Sequence, residues 1–466
     1  MRLPKVTAGR SGRLATLAAL VALGACSATG VPVTQSGSGL DGVSLAVPML
    51  QFPPAMGLPV QRPNSQLAQD FLDLEFHLES GQTLPVLTRF DGPITVSMTG
   101  PVPPTARTDL AALIARLQTE AGLTLNLLPD NSAASLTLVF ERRALLHRIE
   151  PTAACFVIPN VSSLGEYRAK RGTAALDWAQ MTRRTRATLF LPSDTSPQEL
   201  RDCLHEETAQ ALGPVNDLYR LPDSVFNDDN FQSVLTGFDM LMLRLQYAPE
   251  LANGMGQAEV AARLPVLLAR MNPKGKAQDD WISPDTPRVW LDAVAKTVNP
   301  NLPTAARIAA ANQSLAIALE AGWQDNRLGF AYFILGRTLT ALDPAAAEAA
   351  YHAAARVYQS LPDEGVHLAH ALTQLCAMAL ANGQADQAIA LADQAIPLAT
   401  LAQNAALLAT LQQMKAEALA VQGHVTEAAA LRLDSLPAAR YGFGPEPEVR
   451  ARAAAIAALV RLQRPG

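Results

Sequence analysis

Cys203-Leu-His-Glu-Glu-Thr-Ala-Gln-Ala-Leu-Gly-Pro-Val-Asn-Asp217 is the stretch on which the reading of this chain turns. Its first ten residues close a predicted helix, Pro197–Leu212. Ser196 can cap that helix, Pro197 suits its first turn, and Glu199 sits near the positive end of its dipole. Gly213-Pro214 ends it. Upstream, Ile94–Met98 alternates like a strand, and Ser135–Phe140, Cys155–Ile158 and Ala187–Leu191 read as further strands. Asp109–Glu120 has helical spacing through Leu110, Leu113, Ile114 and Leu117. Phe71, Leu74, Phe76 and Leu78 form an apolar opening segment. Residues 65–272 therefore read as a mixed α/β domain.

The chemistry is sought inside the quoted stretch. His205-Glu206 begins a His-Glu-x-x-His zinc pattern, but the i+4 position is Ala209. One residue later the register improves. Glu206, Glu207, Gln210, Gly213 and Asn216 fall at offsets 0, 1, 4, 7 and 10. Residues at i and i+4 share a helix face, so both can reach one metal. A glycine at offset 7 can turn the chain back toward it.

These offsets resemble the metzincin zinc-protease motif, His-Glu-x-x-His-x-x-Gly-x-x-His. The resemblance implies metal positions at Glu206, Gln210 and Asn216, with Glu207 as general base. It also places Phe226 where a Met-turn methionine is usual, Leu235–Tyr247 on the last helix, and Ala187–Leu191 on the edge strand before the metal helix. Cys203 to Asp228 further resembles a group of secreted alphaproteobacterial proteins with a domain of unknown function, described as a predicted zinc-dependent protease. The departures lie at the ligands: one carboxylate and two amides replace three imidazoles, and zinc prefers imidazole, thiolate and carboxylate. Zinc is thus poorly served. A hard-ion site from Glu206, Gln210 and Asp217 would suit calcium, although no loop of alternating Asp accompanies it. His205 lies about 100° from Glu206 around the helix and cannot share its face.

The N-terminus carries an address. Arg2, Lys5, Arg10 and Arg13 precede an apolar run from Leu14 to Ala25. That run is shorter than the ~20 residues a membrane-spanning helix needs. Residues 1–25 read as a signal peptide. Leu23-Gly-Ala-Cys26 resembles the lipobox of bacterial lipoproteins, which implies lipidation at Cys26 and a membrane partner through that anchor. Ser27 rather than Asp after the cysteine favours the outer membrane by the same resemblance. Residues 26–64, rich in Gly, Ser and Pro, read as a flexible tether in the periplasm. Cys155 and Cys203 lie in one domain and could pair in that oxidising compartment. Cys376 reads as a small core residue.

Residues 273–302 read as a linker, and 303–466 as an all-α helical-repeat domain. Leu342-Asp343, Asn382-Gly383 and Gln422-Gly423 are turn signals at a constant spacing of 40 residues. Ala388 and Ala428 stand at the same offset after two of them. Tyr332-Phe-Ile-Leu-Gly336 resembles the first-helix pattern of tetratricopeptide repeats, whose usual unit is ~34 residues. The repeat implies a protein or peptide partner. His367 and His370, at i and i+3, read as a solvated pair.

Composition removes other classes. Hydrophobic residues make up 49% and charged residues 17%, so the chain is not disordered. A net charge of −5 and the lack of a basic run argue against nucleic acid. No Gly-rich phosphate loop and no Gly-x-Ser-x-Gly elbow occurs. Two readings follow: a cell-envelope binding or scaffold protein with a zincin-like domain and no cofactor, or a periplasmic metal-dependent peptidase with Glu207 as base and zinc as its metal.

Overall fold

The computed structural model describes residues 40, 44–53, 57, 59–151, 153–277, 283–362 and 365–461. The expected signal peptide and the lipidation site Cys26 lie outside the described residues. The chain divides into two units: Phe52–Asp285, and Thr286 to the C-terminus together with the residues before Phe52.

The first unit is built on a five-stranded sheet. Helix α1 (Asn64–Phe76) leads to β1 (Ile94–Thr99), α2 (Pro104–Glu120), β2 (Leu125–Leu127) and β3 (Leu136–Glu141). A short helix α3 (Arg143–Leu146), β4 (Phe156–Pro159) and α4 (Leu164–Lys170) precede β5 (Ala187–Pro192) and α5 (Pro197–Leu212). The unit closes with α6 (Gly237–Gln246), α7 (Gln257–Ala261) and α8 (Leu264–Met271). The strand order is β2-β1-β3-β5-β4, with only β4 antiparallel to its neighbour. Ala187–Leu191 was expected on the edge. It lies inside the sheet, and β4 forms that edge, because the crossover through α4 returns the chain between β3 and β4.

Both sheet faces are covered, as a mostly parallel sheet requires. Leu136, Leu138, Phe140, Leu189 and Leu191 enter a large core with Leu113 and Leu117 of α2 and Leu200 and Leu204 of α5. Val139 and Phe190, pointing the other way, meet Leu164 and Tyr167. Each fully buried Leu or Phe contributes about 1.5–3 kcal/mol. Helix α5 begins as its sequence dictates: the Ser196 hydroxyl accepts from the Glu199 N–H at 3.2 Å, with Pro197 in the first turn. Cys203 on this helix is joined to Cys155 by a disulfide, Cα–Cα 6.0 Å, which ties α5 to the start of β4.

The second unit is helical. It runs through α9 (Arg288–Val298), α10 (Thr304–Glu320), α11 (Asn326–Leu339), α12 (Pro344–Gln359) and α13 (Gly365–Ala381). Then come α14 (Ala385–Leu401), α15 (Ala405–Val421), α16 (Val425–Asp434), α17 (Leu436–Phe443) and α18 (Glu446–Arg461). The residues assigned to a linker thus include α9, whose Trp290 is buried edge-on against Trp323. The turns spaced 40 residues apart join α11 to α12, α13 to α14 and α15 to α16. Gly383 and Gly423 hold φ of +81° and +88° there, which glycine adopts without penalty. Gly329 and Gly336 of α11 lie under the rings of Tyr358 and Tyr351, so the first hairpin closes tightly. Ala388 and Ala428 are both fully buried. Part of the expected tether belongs to this unit: Leu45 is buried, and Arg440 donates to the carbonyls of Leu45 and Val47.

His367 and His370 are buried rather than solvated. The ring of Tyr358 packs tilted against His367, 5.2 Å between centroids, and the rings of Phe333 and His370 meet edge to face. Their helix, α13, is apolar over most of its circumference, so no face was left for solvent. Among the described residues, no helix is long and apolar enough to cross a membrane.

Candidate functional site

The C-terminal half of α5 is held from behind by one cation. Arg184 donates to the carbonyls of Gln210 (2.6 Å), Ala211 (2.8 Å) and Gly213, capping the helix end with a buried guanidinium. Gly213 has φ −155°, so the turn does not depend on a left-handed backbone. A side chain there would be tightly packed: a Cβ would stand 3.2 Å from Gln246 Cγ and 3.4 Å from Glu75 Oε1.

In front of α5, three segments deliver carboxylates to one place. Glu79 sits at the tip of a tight turn in which the Leu78 N–H donates to the Gln82 carbonyl at 2.9 Å. Asp217 lies on the chain leaving α5. Asp228 lies on a loop fixed by Asn227, which donates to the Leu221 carbonyl and to Asp229, each at 2.8 Å. One carboxylate oxygen from each of Glu79, Asp217 and Asp228 lies within 4.8 Å of the others.

The predicted i, i+4 face of α5 looks onto this cluster. Gln210 Nε2 donates to Asp217 Oδ2 at 3.1 Å. Burial, then the charges of Asp228 and Glu79, push the Glu206 carboxyl up to about 7. Asp228, although its side chain reaches solvent, is likewise raised to about 7, by desolvation from the surrounding chain and then by Glu79 and Asp229. Asp217 is raised well above the usual carboxylate range, chiefly by burial and then by Glu206, Asp228 and Glu79. It is also hydrogen-bonded to Glu79, a pairing that two carboxyl groups make around a shared proton.

Glu207 keeps a different environment. It is 4% exposed, and its Oε2 has no hydrogen-bond partner. Burial, followed by Glu206 and Glu79, raises it well above its ordinary value and so favours the protonated acid. Asn216, the third metal position of the motif, is directed elsewhere: its Nδ2 donates to the Asp73 carbonyl at 2.9 Å and anchors α1. His205 is buried, and its Nδ1 accepts the Leu235 N–H at 3.0 Å. Burial, then Arg201 and Arg116, hold it well below its usual value, so the ring is neutral. Phe226 is fully buried, and Leu235–Tyr247 contains α6 behind a capping box of Thr236 and Asp239.

The structure thus brings Glu206, Gln210 and Asp217 together and leaves Asn216 and His205 outside. Glu79 and Asp228 are the members that sequence reasoning missed. Glu79 lies in no motif, and Asp228 closes the stretch from Cys203 that resembles the secreted group, where no role was read for it. The donor set does not fit zinc. It offers carboxylates and one amide in place of imidazoles, and one motif position is committed to a backbone carbonyl.

These features define a class: an α/β domain bearing an acidic cluster at the end of its central helix, followed by an all-helical region. Residues 64–266 match the sequence profile of a family described as "Protein of unknown function (DUF2927)", and form a DUF2927 domain running from α1 into α8. No curated protein and no solved structure matches the chain.

Proposed function

We propose that this chain is an exported, lipid-anchored cell-envelope protein that binds partners rather than cleaving them. In this reading the DUF2927 domain is zincin-like, with its metal-helix positions given over to other contacts. The helical unit is a tetratricopeptide-like array that presents a surface to a protein or peptide. The observation that carries the reading is the fate of the three motif positions. Glu206 stands among carboxylates, Gln210 is bonded to Asp217, and Asn216 holds Asp73. Metzincin kinship draws support from the antiparallel β4 beside β5, with α5 following at once. The periplasmic, outer-membrane address rests on the basic start, the apolar run and Leu23–Cys26. The Cys155–Cys203 disulfide suits an oxidising compartment.

A second reading, a metal-dependent peptidase with Glu207 as base, draws on the burial of Glu207 beside the cluster. It requires an ionised Glu207, and burial works in the opposite direction. Denatured casein incubated with the full-length chain and added zinc separates the two. The binding reading expects no cleavage above that of Glu207→Gln. Zinc-dependent cleavage that Glu207→Gln abolishes would overturn it.

A further inference from the structure

We propose that the end of the helical unit formed by α17 and α18 is a docking site for an extended peptide, which Leu40 and residues 44–50 of this chain fill as a built-in competitor. The proposal rests on the reading of the helical unit as a peptide-binding array and deepens it. It names the site and the chemistry of the partner: an extended segment with apolar side chains at alternate positions. The segment and the two helices belong to one unit. Recognition runs through the main chain. Arg440 of α17 donates to the carbonyls of Leu45 (2.9 Å) and Val47 (2.5 Å), and Arg450 of α18 donates to that of Leu40 (2.8 Å). The Leu50 N–H donates in turn to the Pro437 carbonyl at 2.9 Å. Every residue carries a backbone carbonyl, so these bonds select an extended backbone rather than a sequence.

Side chains supply the selection. Leu40 is 1% exposed and Leu45 3%. From Ser44 to Met49 the exposure alternates: Ser44, Ala46 and Pro48 are exposed, Leu45 is buried, and Val47 and Met49 are half-buried. A period of two is the mark of an extended chain laid on a surface by one face. A tether rich in Gly, Ser and Pro has no reason of its own to bury leucines, whereas a surface shaped to receive them does. Residues 44–50 lie in no helix and no strand. No ladder of backbone bonds locks them down, and ordering them costs backbone entropy. They are held as a ligand is held, and a competing segment of the same pattern can take their place.

Fluorescence anisotropy with a labelled synthetic peptide copying residues 40–51 tests this on the full-length chain. The unaltered chain should bind the peptide weakly, because its site is filled. A Leu40→Asp, Leu45→Asp variant, which expels the resident segment without altering a helix, should bind it at least about tenfold more tightly. Adding Arg440→Ala should weaken that binding at least about tenfold. A peptide carrying Leu45→Asp should not bind, whereas one carrying Ala46→Ser, at an exposed position, should bind as the parent does. Binding no tighter in the expelled variant, or indifferent to Arg440→Ala, would overturn the proposal. If the double variant loses its helical melting transition, hydrogen exchange on the unaltered chain decides instead. Excess Ala46→Ser peptide, distinct in mass, should then speed exchange at the resident Leu50 amide, and unchanged exchange there would overturn the proposal. Either failure leaves the casein result, and with it the binding reading, untouched.

Discussion

In the α/β unit the interior combines large side chains with charge. Phe71, Phe140 and Phe190 are fully buried, and so are Asp70, Asp239 and the nearly inaccessible Arg184 and Arg220. Arg220 bridges Asp70 and Asp73 at 2.8 Å each, and Arg62 adds a second bond to Asp70. The helical unit also buries Trp290, Tyr351, Tyr358 and Arg327, the last paired with Asp325, but much of its filling is small: Ala311, Ala347, Ala354, Ala388, Ala392 and Ala409 are all fully buried. The contrast has a physical basis. Loops that must hold functional side chains need directional bonds, and buried charge networks supply them. Stacked hairpins need only close approach, which alanine and glycine allow. The first unit should therefore fail when a tie is cut, and the second when an atom is added.

The largest expected effect concerns a tie. Replacing both Cys155 and Cys203 with serine opens a loop of 48 residues and should cost the α/β unit about 2–4 kcal/mol. Scanning calorimetry should show its transition lowered and the helical transition unmoved. Equal movement of both would break the contrast between the units.

The next effect concerns an added atom. A Cβ on Gly442 would stand 2.5 Å from Ala406 Cα, backbone that cannot swing aside. Gly442→Ala should cost about 1–3 kcal/mol. Gly256→Ala, in open space in the α/β unit, should be close to neutral, and urea melts of the two variants compare them.

The smallest effect distinguishes the units by pH. Burial, then His367 and Arg337, lower His370 to about 3. The unfolded chain takes up a proton below pH 6.5 that the folded helix refuses. Helical stability is therefore fully present above pH 6.5 and falls as the pH drops toward 3. His370→Gln should remove about 2 kcal/mol of that acid sensitivity at pH 5, read from melting temperatures at pH 5 and 7.5. An unchanged pH profile would refute the neutral, buried imidazole.

Much of this was legible locally. The ends of α5 follow from Ser196, Pro197 and Gly213, because caps and breakers act within a few residues. The turns 40 residues apart announced the hairpins, since glycine or a capping Asp marks each one. What escaped was long-range. Strand β2 is three residues long and buries only Leu125, too little for an alternating signal. The interior position of β5 depends on a crossover that no local pattern encodes. Glu79 and Asp228 join the acidic cluster only because a turn and a loop, distant in sequence, fold onto the end of α5. Asn216 sat at the correct offset, but an offset does not say where an amide points.

The most direct test of the account is elemental mass spectrometry on the full-length chain purified without chelator, beside a Glu206→Ala, Gln210→Ala variant. The account predicts no stoichiometric zinc in either, because the motif positions are committed to carboxylate and amide contacts. One zinc per chain in the wild type, lost in the variant, would contradict it and restore the peptidase reading.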